Sequence, residues 1–228
     1  HDARELLLAY DRAADAGIEV MVQEYIPGDD RHSSNYDAYR VGEAFVEFTA
    51  QKLRLAPPEF GLPRVVMSRD LPDIVEPGRR ILTALGYEGY ACTEFKRDPR
   101  DGVHKLMEVN GRVNRSILHP LGSGLNYPAI MYRHLMFGEA PPPAPSQRGA
   151  TPVYWIDLAG DVRYGLRDWR TEGPGLRRFL RPYLGPTVFA VGDGLDVRPF
   201  LKRSFGTVVT RARRAGRGLA RRLGRRAA

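Results

Sequence analysis

Apolar and polar positions alternate along this chain with two periods, and the switches between them mark its elements. DARELLLAYDRAADAG at the start reads as an amphipathic helix, with Asp2 as cap and Gly17 as stop. IEVMVQEYI, residues 18–26, then reads as a strand closed by a Pro-Gly-Asp-Asp turn. From about Tyr39 to Leu55 the alternation suits a hairpin, and after the loop APPEFGLP a short strand is expected in RVVMS. PGRRILTALGY reads as a helix with Pro77 near its start and Gly86 just past its end. GYACTEFK and HKLMEVN are two strands joined by RDPRDG, whose Asp-Gly favours a tight turn. NYPAIMYRHLMFGE is a helix capped by Asn126. APPPAPSQRG is a proline-rich linker expected to be extended and poorly packed, and TPVYWIDLAGDVRYGLRDW opens a second small unit. The expected class is α+β: an antiparallel sheet with flanking helices, a small C-terminal unit and a basic final helix. The expected divisions are residues 1–140, a linker at 141–150, a unit at 151–199 and a tail at 200–228.

Length and charge narrow the partners. A chain of 228 residues buries one substantial core, or one domain and an appendage. The net charge of +8 is unevenly placed: eleven Arg and Lys, and no acid, follow Asp196, leaving 24 basic against 27 acidic residues before that point. The body is therefore mildly acidic, which argues against a fold that binds nucleic acid through its body. No run is long or apolar enough to span a bilayer. The start at His1 suggests a piece of a longer protein. One cysteine, Cys92, excludes an internal disulfide, fits a reducing, cytoplasmic compartment, and reads as a small buried hydrophobe.

The candidate chemistry lies in YACTEFKRDPRDGVHKLMEVNGRVNRS, residues 90–116. Two antiparallel strands joined by a short turn bring Glu94 and Glu108 near one another. Like charges at that range repel, and one carboxyl titrates high unless a cation stands between them. Mg²⁺ or Mn²⁺ would remove the conflict, since a hard divalent ion takes carboxylates, phosphate oxygens and water in octahedral array. Asn110, two residues beyond Glu108, falls on the same strand face as a third oxygen donor. Arg112 and Arg115 follow, suited to a phosphate or carboxylate, with Arg112 the better candidate because Arg115 could pair with a nearby acid. Taken alone, this motif is weak and better describes surface glutamates paired with Lys96, Arg97 or Lys105. The histidines lack the spacing of a zinc site.

The ordered set of motifs from about His1 to Glu139 resembles the ATP-grasp superfamily, particularly its carboxylate–amine ligase branch. VMVQEYIPGDD resembles the strand and hinge that cradle adenine. The resemblance implies that Gln23, Glu24, Tyr25 and Ile26 meet the base and that Asp30, or its neighbour Asp29, meets the ribose. FTAQKLRLAPPEFG resembles the basic segment whose lysine or arginine meets the transferred phosphate or the acceptor, which implies Lys52 and Arg54. TEFKRD and LMEVNGR resemble the two metal strands, which implies Glu94, Glu108 and Asn110 as ligands and Arg112 at the acyl phosphate. The family's paired lysines and glycine-rich loop have no counterpart before the hinge, since the first lysine is Lys52; the resemblance places them upstream of His1 and implies that residues 1–228 alone are inactive.

The implied reaction is two-step: ATP and Mg²⁺ convert a small-molecule carboxylate to an acyl phosphate, and an amine then attacks it to form an amide. A formate- or bicarbonate-activating enzyme of the same fold is the first alternative. The second is a non-enzymatic protein acting at a membrane surface or on nucleic acid through its basic tail. In that tail Leu201, Phe205, Val208, Ala212, Ala215, Leu219 and Leu223 recur every three or four residues among eight arginines. A helix would set them on one side, and an anionic membrane would attract it at about 1 kcal/mol per arginine. The expectation is a helix over residues 200–226 that tethers the protein to such a surface, with no specific nucleic acid bound.

Overall fold

The computed structural model describes residues 2–57, 60–172, 176–191 and 198. The expected basic helix at 200–226 lies outside the described residues. One seven-stranded sheet organises the rest, in the order β5-β4-β1-β2-β3-β6-β7. The chain enters through α1 (Ala3–Asp15), where Asp2 caps the first turn by accepting from the Glu5 amide at 2.9 Å. The hairpin of β1 (Ser33–Val41) and β2 (Ala44–Ala56) forms the middle, followed by β3 (Leu62–Ser68) and α2 (Pro72–Ala84). The second hairpin, β4 (Gly89–Arg97) and β5 (His104–Asn110), pairs its first strand with β1. Two helices follow, α3 (Leu118–Gly122) and α4 (Tyr127–Phe137). Asn126 caps α4 through the Ala129 amide, as its sequence predicts.

Beyond the proline-rich stretch, β6 (Tyr154–Ile156) pairs with β3, and β7 (Thr187–Phe189) runs parallel to β6. These strands complete the same sheet, and α5 (Leu158–Glu172) and α6 (Leu176–Leu184) lie between them in the chain. The stretch itself is better anchored than its prolines suggest. Gln147 accepts from the Thr49 amide at 2.7 Å and donates to the Thr49 carbonyl at 2.9 Å. A side-chain amide thus takes a strand's place where β3 ends.

Each sheet face carries its own core. Tyr39, Val46, Phe48, Tyr90 and Trp155 pack with Tyr127 and Ile130 of α4. On the other face Tyr36, Ala38, Ala91 and Phe95 pack with Ile74 and Leu82 of α2. This double cover makes β1 central: eight of its nine residues are buried, so it shows no half-exposed alternation, and the hairpin begins at Ser33 rather than near Tyr39. α2 begins five residues before Pro77, at Pro72, because Ile74 is fully buried and draws the first turn onto the sheet. Pro77 stands inside the helix. At Gly78 a Cβ would come within 2.4 Å of the Tyr36 ring, so only glycine admits this approach.

The strand expected at residues 18–26 is not formed. A strand exists through its ladder, and none of the described strands pairs with this segment. Val20, Met21 and Val22 are 45%, 81% and 54% exposed, and only Ile26 enters a core.

Candidate active site

Pairing register places the acids. Glu94 on β4 lies opposite Glu108 on β5 and opposite Asn35 on β1, and Asn35 lies opposite Ala50 on β2. Opposed side chains on one face have Cβ atoms about 4.5–5.5 Å apart, so Glu94 and Glu108 need a neutralising cation. Lys52 supplies one: its ammonium donates to Glu94 Oε2, across the intervening strand β1. Asn110 donates its amide to Glu108 Oε1 at 2.7 Å, which leaves its own carbonyl oxygen free to accept. The structure thus brings Glu94, Glu108, Asn110 and Lys52 together at one end of the sheet face.

A buried polar layer lies beside them. Asp37, two residues beyond Asn35 and opposite Cys92, accepts from the Tyr90 hydroxyl at 3.0 Å and from the Asn114 amide at 2.8 Å. Burial pushes its carboxyl up to about 6; the Cys92 and Tyr90 hydrogen bonds and the Lys52 charge oppose the rise, and the Glu94 charge adds to it. Burial also holds the Cys92 thiol well above its ordinary range, consistent with an inert core residue. His119, buried under Phe48, donates to the Val153 carbonyl at 2.9 Å, and burial pushes it down to about 4.

The hinge residues approach the same end of the sheet from the side. Asp30 accepts from the Lys96 ammonium at 2.8 Å and from the Phe60 amide at 2.6 Å. The Lys96 ammonium lies 5.7 Å from the Tyr25 ring centroid, and the Tyr25 ring is 6.2 Å from that of Phe60. Glu24 pairs with Arg100 at 2.5 Å, Gln23 is exposed, and Ile26 is buried. Asp98, which accepts from Arg100 and Lys105, is held well below the ordinary carboxylate range, chiefly by Arg100.

One expected member stands elsewhere. Arg54 donates to Asp161 at 2.6 Å and to the Phe179 carbonyl at 2.5 Å, a cluster it shares with Arg64 and Tyr183. Residues two apart on a strand share a face, but the register of β2 on β3 shifts between Lys52 and Arg54, and the alternation breaks there. Arg112 is exposed and makes no ion pair among the described residues, so it is free to meet an anion. Arg115 pairs with Asp157 and lies over the Trp155 ring at 5.6 Å, the acid pairing foreseen for it. Sequence reasoning missed Asn35 and Asp37. Their signal is a run of polar residues, Ser33-Ser34-Asn35-Tyr36-Asp37, inside a strand whose neighbours are apolar.

Among the described residues no group of three or more His, Cys, Asp or Glu side chains could hold a metal ion. A divalent cation here would therefore rest on two carboxylates and be completed by the Asn110 amide oxygen. The donors fit: Glu94 and Glu108 are opposed and Asn110 is oriented.

No family model matches the chain. Over 125 residues it is 30% identical to the D-aspartate ligase of Enterococcus faecium (strain Aus0004), covering 53% of this chain and 30% of that protein. The chain thus spans about 30% of the length of this curated relative. Solved structures similar to it include an L-amino acid ligase from Bacillus licheniformis, at a TM-score of 0.45 and 19% identity over 58% of this chain and 34% of that one. A biotin carboxylase–βγ-ATP complex from Campylobacter jejuni gives 0.47 and 19% over 62% and 32%. The described residues themselves form a mixed α+β fold, one seven-stranded sheet with flanking helices.

Proposed function

We propose that this chain carries the metal-binding part of an ATP-dependent ligase, which activates a carboxylate as an acyl phosphate and joins it to an amine. The observation that carries this reading is the convergence of Glu94, Glu108, Asn110 and Lys52 on one sheet face. In this reading Glu94, Glu108 and Asn110 hold Mg²⁺ or Mn²⁺, which would neutralise charge on the phosphate oxygens. Lys52 and the free guanidinium of Arg112 orient the transferred phosphoryl group. Asp30, with Tyr25 and the backbone of residues 23–26, meets the nucleoside. Little covalent work falls to the protein, so positioning and charge carry the rate. The D-aspartate ligase relationship makes an amino-acid carboxylate, and D-aspartate first, the substrate to test.

Hydroxylamine traps an acyl phosphate as a hydroxamate and releases phosphate. The full-length protein carrying this chain, given Mg²⁺-ATP, hydroxylamine and D-aspartate or other amino acids, is expected to form hydroxamate with ADP in equal amount. Glu108→Gln should lower that rate by at least about 10³-fold while leaving the melting temperature nearly unchanged. ADP release that ignores every carboxylate offered, or full activity in Glu108→Gln, would overturn the reading. The tether to an anionic membrane is kept as part of this proposal and rests on residues outside those described.

A further inference from the structure

Asn35 is 4% exposed and its Oδ1 has no hydrogen-bond partner. Leaving a buried acceptor unpaired is unfavourable, and such groups call for an explanation. Its position supplies one. The Lys52–Glu94 bridge joins β2 to β4, and β1 runs between these strands. Strands are spaced about 4.8 Å apart, so the lysine side chain must cross β1. It crosses at Ser33 and Asn35, because Asn35 lies opposite Glu94 and Ser33 opposite Lys96, with Lys52 two residues beyond Ala50, the β2 partner of Asn35. The amide therefore lies beneath the path of the ammonium group.

We propose that Asn35 is a positioning residue that receives the Lys52 ammonium when a divalent cation takes Glu94. The inference rests on the metal reading of the site given above. One carboxylate cannot serve the ammonium and a divalent ion equally, since each brings positive charge to the same oxygens. On metal entry Lys52 must give up Glu94, and an ammonium buried without an acceptor is costly. The Asn35 carbonyl offers a neutral acceptor along the lysine's own path. It keeps Lys52 pointing along the site face and does not compete for the cation. Asn35 thus acts through Lys52 and is not itself a ligand.

The test is Mn²⁺ affinity of the whole chain, measured by titration calorimetry, for wild type, Asn35→Leu, Lys52→Met and the double variant. Wild type is expected to bind and Glu108→Gln to lose binding. Asn35→Leu should weaken Mn²⁺ about tenfold. In the Lys52→Met background the same substitution should have no effect, because no ammonium remains to be received. Melting in EDTA supplies a readout that a structural role would move the other way. Asn35→Leu removes an unpaired acceptor and should raise the melting temperature by about 2–4 °C, whereas an asparagine that holds the fold together would lower it. A tenfold loss that persists in Lys52→Met would make Asn35 a direct ligand and overturn the inference while sparing the metal reading. Unchanged affinity in Asn35→Leu overturns it too. Absence of Mn²⁺ binding in wild type, with Glu108→Gln no different, would sink the metal reading itself and this inference with it.

Discussion

Lys52 and Arg54 stand two residues apart on β2, and the clusters they enter are opposites. Asp161, at the start of α5, accepts from Arg54 at 2.6 Å, from Arg64 at 3.0 Å and from the Tyr183 hydroxyl. Arg54 also bonds the Phe179 carbonyl and lies 4.3 Å from that ring's centroid, and Arg64 bonds the Leu55 carbonyl at 2.9 Å. Around Lys52, by contrast, the ammonium bonds Glu94, Glu108 accepts only the Asn110 amide among the described residues, Asn110 keeps a free oxygen, and Asn35 Oδ1 has no partner. A network with its donors and acceptors matched fastens α5 and α6 to the sheet. A network with acceptors to spare is a place where a cation can arrive. The number of positive charges nearby does not separate the two roles; the state of the acceptors does.

Breaking the closed cluster should give the largest effect. Asp161→Ala strands two arginines in a buried setting and should cost about 3–5 kcal/mol of stability, read by urea denaturation. A loss below about 1 kcal/mol would show that the cluster is not the fastening described here.

Asp37 comes next, because it lies beside the open cluster and titrates in an accessible range. Its carboxyl is raised from 3.8 to about 6, chiefly by burial. Between those values the folded protein holds a proton that the unfolded chain has lost. Its contribution is therefore complete below pH 3.8 and is lost as pH rises through about 6, a change of roughly 3 kcal/mol at most. His119, pushed down to about 4, slopes oppositely: its stabilisation is present above pH 6.5 and falls away toward pH 4. The measurement is accordingly the difference between wild type and Asp37→Asn, whose stability should lack the Asp37 slope between pH 4 and 6. Parallel curves would mean that the carboxyl is not raised.

The smallest effect is expected at Lys52. Lys52 is buried but Glu94 is partly accessible, their side chains being 8% and 22% exposed, so Lys52→Met removes the buried charge itself, water screens the carboxylate left behind, and the cost should be only about 1 kcal/mol without metal. A cost as large as that of Asp161→Ala would erase the contrast between the two clusters.

How much of this was legible in the sequence depended on burial. β4 and β5 were read correctly, and the resulting opposition of Glu94 and Glu108 is what the structure shows. β1 was missed in its first half because both faces are covered, so Ser33–Ala38 carries no period to read. Residues 18–26 look like a strand in composition, yet pairing is a property of neighbours, which a local pattern does not report. The Lys52–Arg54 pair failed for a third reason: the register shift on β2 separates two residues that alternation would have kept together. Asn35 and Asp37 drew no notice because a polar residue gains meaning only once its surroundings are known to be dry.

The Gln147 amide, clasping both backbone groups of Thr49, has a kinetic meaning as well. In a sheet, a backbone proton is normally sheltered by the next strand and is released when strands part. The Thr49 proton is sheltered by a side chain from the proline-rich stretch. Its shelter is therefore timed by the detachment of that stretch, and the edge of β2 is uncovered whenever the stretch lifts, even while the strands around it stay joined.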